Sequence, residues 1–157
     1  MSEPVFVHDS GREWETWPEP LVEERGHIVW KTLVSGDITP SAGLTLGVAK
    51  LAPGEELRAH RHEQAEVYLV TAGEALVTID GEARSVGPGA AVFIPGNALH
   101  SCANTGANEL RFAYVLAADS FADVEYVFEH RDAEGVSKPQ ISSATSTIRR
   151  SFATSCS

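Results

Sequence analysis

Four side chains stand at spacings that fit a single metal ion: His60, His62, Glu66 and His100. In an extended strand, residues two apart point to the same face. His60 and His62 therefore project side by side, and both imidazoles can reach one ion at about 2.0–2.1 Å. Glu66 follows the short connection Glu63–Ala65, which returns the chain toward the same point. His100 comes after the turn Pro95-Gly96-Asn97 and is placed to enter from an opposing strand. Three imidazoles and one carboxylate form a mixed N/O donor set. Such a set suits one divalent transition metal (Fe, Mn, Ni, Co, Cu or Zn) and suits Ca or Mg poorly. Four ligands on an octahedral ion leave two positions open, which is the arrangement of a reactive centre. His8, His27 and His130 lie outside this spacing and read as surface or packing residues.

Tyrosine is the other residue type with chemistry to offer. Tyr68 is two residues beyond Glu66 and shares its face. A free phenol has a pKa of about 10 and is a poor base at neutral pH, but a nearby divalent cation favours the phenolate. A metal-activated Tyr68 is therefore a candidate to take a proton alpha to a carboxylate. Tyr114 and Tyr126, on later strands, are further candidates for the substrate site.

The elements that must position these residues are almost all strands. His27–Val34, Leu44–Leu51, Glu66–Thr71, Ala75–Ile79, Ala91–Ile94, Leu110–Leu116 and Val124–Phe128 are rich in Val, Ile, Leu, Thr and aromatics. Asp80-Gly81, between Ala75–Ile79 and Glu82–Val86, is a two-residue hairpin signal, because a type I′ turn needs positive φ at both central positions. Pro53-Gly54, Gly87-Pro88-Gly89 and Pro95-Gly96-Asn97 mark further turns. Many short strands with regular turns and no internal repeat predict an all-β fold, one barrel or jelly roll.

The two segments that carry the ligands resemble the cupin superfamily. Gly54, His60, His62, Glu66 and Gly73 match every fixed position of G-x5-H-x-H-x3-E-x6-G. Gly89, Pro95, His100 and Asn104 match G-x5-P-x-G-x2-H-x3-N, with Asn97 in place of one glycine. Asn tolerates positive φ better than other non-glycine residues, so the turn is expected to survive. The resemblance implies a single-domain cupin β-barrel with His60, His62, Glu66 and His100 as metal ligands. The run His-x-His-x3-Glu-x-Tyr with a later His is also similar to the small cupin dimethylsulfoniopropionate lyases. That likeness implies a beta-elimination in which Tyr68 is the base and the products are dimethyl sulfide and acrylate. Trp30 and Tyr126 would then wall the cavity, where an aromatic face holds a sulfonium by cation–π attraction. Cupins also include iron-dependent dioxygenases, which need no tyrosine base, and non-catalytic small-molecule binders. The fold by itself does not choose among them.

Composition sets the remaining bounds. With 157 residues and 43% hydrophobic content, the chain has room for one domain. Its net charge of -10 argues against nonspecific nucleic-acid binding, which needs a basic face. No apolar run approaches the ~20 residues of a membrane span. Met1–Trp17 is acidic without an apolar core, unlike a signal peptide, so a cytoplasmic protein is expected. Residues 1–25 read as an N-terminal arm whose Trp14 and Trp17 pack onto the domain or a partner subunit. Residues 26–130 read as the barrel and 131–157 as a disordered tail. From Ser142 on, nine of sixteen residues are Ser or Thr, too polar to offset their ordering entropy. Cys102 and Cys156 imply no disulfide framework. The expected partners are a small-molecule substrate and a second copy of the chain as a homodimer, with no nucleic acid and no membrane.

Overall fold

The computed structural model describes residues 1–131 and 137–139, which form two six-stranded antiparallel sheets of a jelly roll. The first sheet runs β1 (Glu15–Thr16), β2 (Val29–Val34), β3 (Thr45–Leu51), β10 (Leu110–Leu116), β5 (Glu66–Ala72) and β8 (Ala91–Ile94). The second runs β12 (Ser137–Pro139), β11 (Val127–Arg131), β4 (Glu56–Arg61), β9 (His100–Asn104), β6 (Ala75–Ile79) and β7 (Glu82–Val86). Each sheet alternates buried and more exposed residues along its central strands, as the pleat requires. The buried sets meet between the sheets. Leu51, Leu110, Leu116 and Ile94 are fully buried there, each contributing about 1.5–3 kcal/mol relative to exposure.

The expected strands are present, with one shift. The Val124–Phe128 run becomes a strand only from Val127, because Phe121–Asp123 forms a 3₁₀ turn whose last hydrogen bond is donated by Val124 N–H. Asp80 and Gly81 both take positive φ (46° and 85°), as the hairpin requires. Asn97 takes φ 63°, so the turn expected to tolerate asparagine does so. Its N–H donates to His62 O at 2.7 Å, tying the turn before His100 to the first pair of histidines.

The N-terminal arm is built into the sheet. β1 pairs with β2, placing Glu15 opposite Trp30, and a single helical turn, α1 (Leu21–Arg25), follows. Gly26 joins the arm to the barrel at φ 106°; a Cβ there would lie 1.8 Å from Glu56 O, so only glycine fits. Trp17 is buried in the core, while Trp14 lies under the ammonium groups of Lys31 and Lys50. No helix among the described residues is long and apolar enough to cross a membrane. Of the stretch 131–157 expected to be a disordered tail, Arg131 ends β11 and Ser137–Pro139 pair with it as β12, so these residues form strands instead; the rest of it, Cys156 included, lies outside the described residues.

Candidate metal centre

Strand β4 reaches the centre through a bulge. Leu57 pairs with Cys102 and His60 with His100, so three steps on β4 match two on β9. Strict alternation would turn Leu57 and His60 to opposite faces. The extra residue lets both point inward, and re-aiming a side chain beside a functional site is a common use of a bulge. His60 is fully buried, His62 and His100 nearly so, while the intervening Arg61 is exposed. Glu66 opens β5 in the facing sheet and is 5% exposed. The cluster therefore spans both sheets at one end of the barrel.

The potential ligand atoms of His60, His62 and His100 lie within 4.8 Å of one another. Each ring has its Nδ1 held by a carbonyl two residues away. The distances are 2.7 Å to Arg58 O for His60, 2.9 Å to Gln64 O for His62 and 2.8 Å to Ala98 O for His100. A carbonyl only accepts, so Nδ1 carries a proton and each Nε2 is left facing the interior, as a lone pair for a metal or, when the ring is doubly protonated, as a second donor. The same arrangement of a ligating histidine and its supporting acceptor orients rings at metal sites.

The Glu66 carboxylate makes these lone pairs a problem for the chain alone. Its Oε2 lies 3.0 Å from His62 Nε2 and 3.3 Å from His100 Nε2. Burial by itself would raise the Glu66 pKa. Hydrogen bonding and charge from His100 and His62 outweigh that, so it falls below its ordinary value and the group is anionic. A lone pair facing a carboxylate is repulsive unless a cation lies between them, either a ring proton or a metal ion. His60 does not readily supply the proton, because burial first and the neighbouring His100 next push its pKa well below 6.5. Its Nε2 is buried without a hydrogen-bond partner. An orphaned acceptor, an anionic carboxylate and three oriented imidazoles fit a divalent transition metal.

These shifts set a pH dependence for the metal-free protein. His60 is depressed in the folded state, so the unfolded chain binds more protons below about 6.5 and stability falls with pH from there. Glu66 is also depressed, so its contribution is present above about 4.5 and is lost as pH falls further. Thermal unfolding of chelated protein should therefore show a midpoint that drops in two stages on acidification. A midpoint flat from pH 7 to pH 4 would contradict this electrostatic picture.

Beside the cluster is a cavity with about 390 Å³ of space between atoms, counting its mouth. His60, Glu66 and Tyr68 line it together with Trp30, Tyr114 and Tyr126, so the aromatic residues expected at the substrate site converge here. Gly47 makes room for one of them, since a Cβ there would meet the Tyr114 hydroxyl at 2.2 Å. Tyr68 is buried between Phe112, with ring centroids 4.7 Å apart, and His100, at 6.4 Å. Tyr126, partly exposed, sits 5.4 Å from the His60 ring and 5.3 Å from that of His62. Burial, then Glu66, pushes both phenols well above their ordinary pKa. Burial likewise pushes the Cys102 thiol up to about 12, an inert packing residue. His8 and His27 are exposed and outside the site.

Sequence reasoning missed Trp17, Phe112 and Phe121 in this wall. Trp17 packs at a tilt against Trp30 (centroids 4.8 Å, planes 53° apart) and meets Tyr126 edge-on at 5.5 Å. Its only signal was a tryptophan among prolines in an acidic arm, which marks docking without saying where.

Comparison with known proteins agrees with this architecture. The cupin domain family matches residues 47–116, the stretch that carries all four candidate ligands. Dimethylsulfoniopropionate lyase DddW of Ruegeria pomeroyi is 42% identical over 103 residues, covering 66% of this chain and 67% of that protein. The oxalate-binding protein of Thermotoga maritima is 28% identical over 109 residues, covering 67% of this chain and 90% of its own length. Among solved structures, the polyketide cyclase RemF of Streptomyces resistomycificus superposes with a TM-score of 0.65. It is 23% identical, with 84% of this chain and 89% of RemF covered, and so speaks for the fold alone. With both sequence motifs, the jelly roll and a lyase relative in agreement, the chain belongs to the cupin family.

Proposed function

We propose that this cupin is a metal-dependent lyase that eliminates dimethyl sulfide from dimethylsulfoniopropionate and leaves acrylate. The observation that carries the reading is the meeting of the imidazole–carboxylate cluster with Tyr68 and an aromatic wall in one cavity. The likeness to DddW supports the choice of substrate. His60, His62, Glu66 and His100 would hold the ion. A divalent metal held there would polarise a substrate carboxylate and lower the pKa of a nearby acid. Tyr68 takes the alpha proton, the freed electron pair forms the carbon–carbon double bond, and the C–S bond breaks so that dimethyl sulfide leaves with its electrons. The proton on Tyr68 returns to solvent. Trp30 and Tyr126 face the sulfonium, and Tyr114 closes the wall against water. The working form is a homodimer, a reading supported by Leu69 and Phe93, exposed on adjacent strands β5 and β8.

A second reading has an observation of its own. Without an ion, burial keeps the Tyr68 phenol protonated, whereas a dioxygenase needs the metal cluster and no phenolate. Headspace measurement of dimethyl sulfide, with Fe, Mn, Ni, Co or Zn restored in turn, tests the proposal. Release that depends on metal supports it. Absence of release with every metal rejects it, and substrate-dependent oxygen uptake would then identify the dioxygenase.

A further inference from the structure

Two indole N–H groups remain unexplained by the chain's own hydrogen bonding. Trp17 and Trp30 are 4% and 6% exposed, and the Nε1 of each is buried without an acceptor among the described residues. Leaving such a donor buried and unpaired is unfavourable, so two adjacent orphans on one wall call for a ligand acceptor. Both rings line the cavity that contains His60, whose Nε2 is the unpaired acceptor of the same site. The cavity wall thus carries two indoles whose N–H groups lack an acceptor and one imidazole lone pair suited to a cation.

We propose that Trp17 and Trp30 donate their indole N–H groups to the carboxylate of the bound ligand, as a second anchor beside the metal, an in-plane contact that leaves the face of the Trp30 ring to the sulfonium. The proposal deepens the reading above, since it names how the acid end of the substrate is held. A carboxylate has two oxygens and about four lone-pair sites, enough to serve both the ion and the indoles. The outer environment of Trp17 favours this role over sulfonium binding. The Arg25 guanidinium already lies 4.6 Å from the Trp17 ring centroid, which occupies one face with a cation and strengthens the N–H as a donor. Because Trp17 is delivered by the arm through β1, residues 15–25 become part of the substrate site rather than an appendage.

The test uses the zinc-loaded full chain, labelled with nitrogen-15, titrated with propionate. The chain has three tryptophans, and Trp14, held on the surface under Lys31 and Lys50, serves as the internal control. The indole proton signals of Trp17 and Trp30 should move downfield with saturation while that of Trp14 stays in place. Trp17→Phe and Trp30→Phe keep an aromatic face and remove the donor, and each should weaken propionate binding by about tenfold, a typical loss for one unmade hydrogen bond to a charged group. The proposal is overturned if propionate fails to bind, if it binds with neither indole signal moving, or if both Phe variants bind it as tightly as the wild type. Indole shifts in a protein that releases no dimethyl sulfide would uphold the carboxylate anchor while rejecting the lyase reaction.

Discussion

Replacing Tyr68 by Phe is expected to lower dimethyl sulfide release by about 10²–10⁴-fold, the range for losing a general base, while leaving metal content and fold unchanged. The ring keeps its contacts with Phe112 and His100, and only a hydroxyl is removed from the cavity wall. The size of the effect follows from the electrostatics. Burial, Glu66, Cys102 and Tyr126 all hold the phenol protonated, so a reactive phenolate exists only where an ion offsets them. The pH–rate profile of the loaded protein should accordingly show a basic limb well below the ordinary phenol value of about 10. Tyr126→Phe is the necessary companion, because its ring lies closer to two of the imidazoles than the Tyr68 ring lies to His100. As a wall residue, Tyr126 should raise KM more than it lowers kcat. The opposite pattern, with Tyr68→Phe fully active and Tyr126→Phe inactive, would move the base to Tyr126.

Replacing His62 by Ala is expected to lower metal content severalfold and to remove turnover with it. The ring contributes one of three inward lone pairs, and its loss leaves Glu66 with a single imidazole within 3.5 Å. Truncation should leave the barrel assembled. His62 lies just beyond the end of β4, and the strongest burial comes from residues elsewhere between the sheets, such as Leu51 and Leu110. If circular dichroism shows the native strand content while metal is lost, the residue acts on the ion. If the fold is lost as well, the experiment passes to Glu66→Gln, which keeps the side chain's size and removes its charge.

Much of this site was legible in the residues, for reasons that can be named. His60 and His62 are readable because a pleated chain turns alternate residues to one side, and the Asn97 turn because so few residues tolerate positive φ. The strands that carry the ligands were harder to see. Glu56–Arg61 has one large apolar residue, Leu57, and His100–Asn104 has only Cys102, since part of each inner face is given to the polar centre. Hydrophobic periodicity cannot report a strand whose buried residues are histidines. The bulge that turns Leu57 and His60 inward together is a register property of two strands and leaves no mark in either. Trp17 was legible as a docking residue, yet its destination beside Trp30 depends on β1 pairing with β2 across an arm that reads as polar linker. Local signals specify turns and faces; which distant aromatic closes the cavity is decided by sheet order.

Metal stoichiometry tests the central claim most directly, because every step of the proposed reaction presupposes the ion. Purified wild-type protein, loaded and then desalted, should retain about one transition metal ion per chain by inductively coupled plasma mass spectrometry, as a single site with oriented ligands requires. The double variant His60→Ala/His62→Ala, treated identically and shown to be folded, should retain severalfold less. Equal stoichiometric metal in the two proteins would contradict the account.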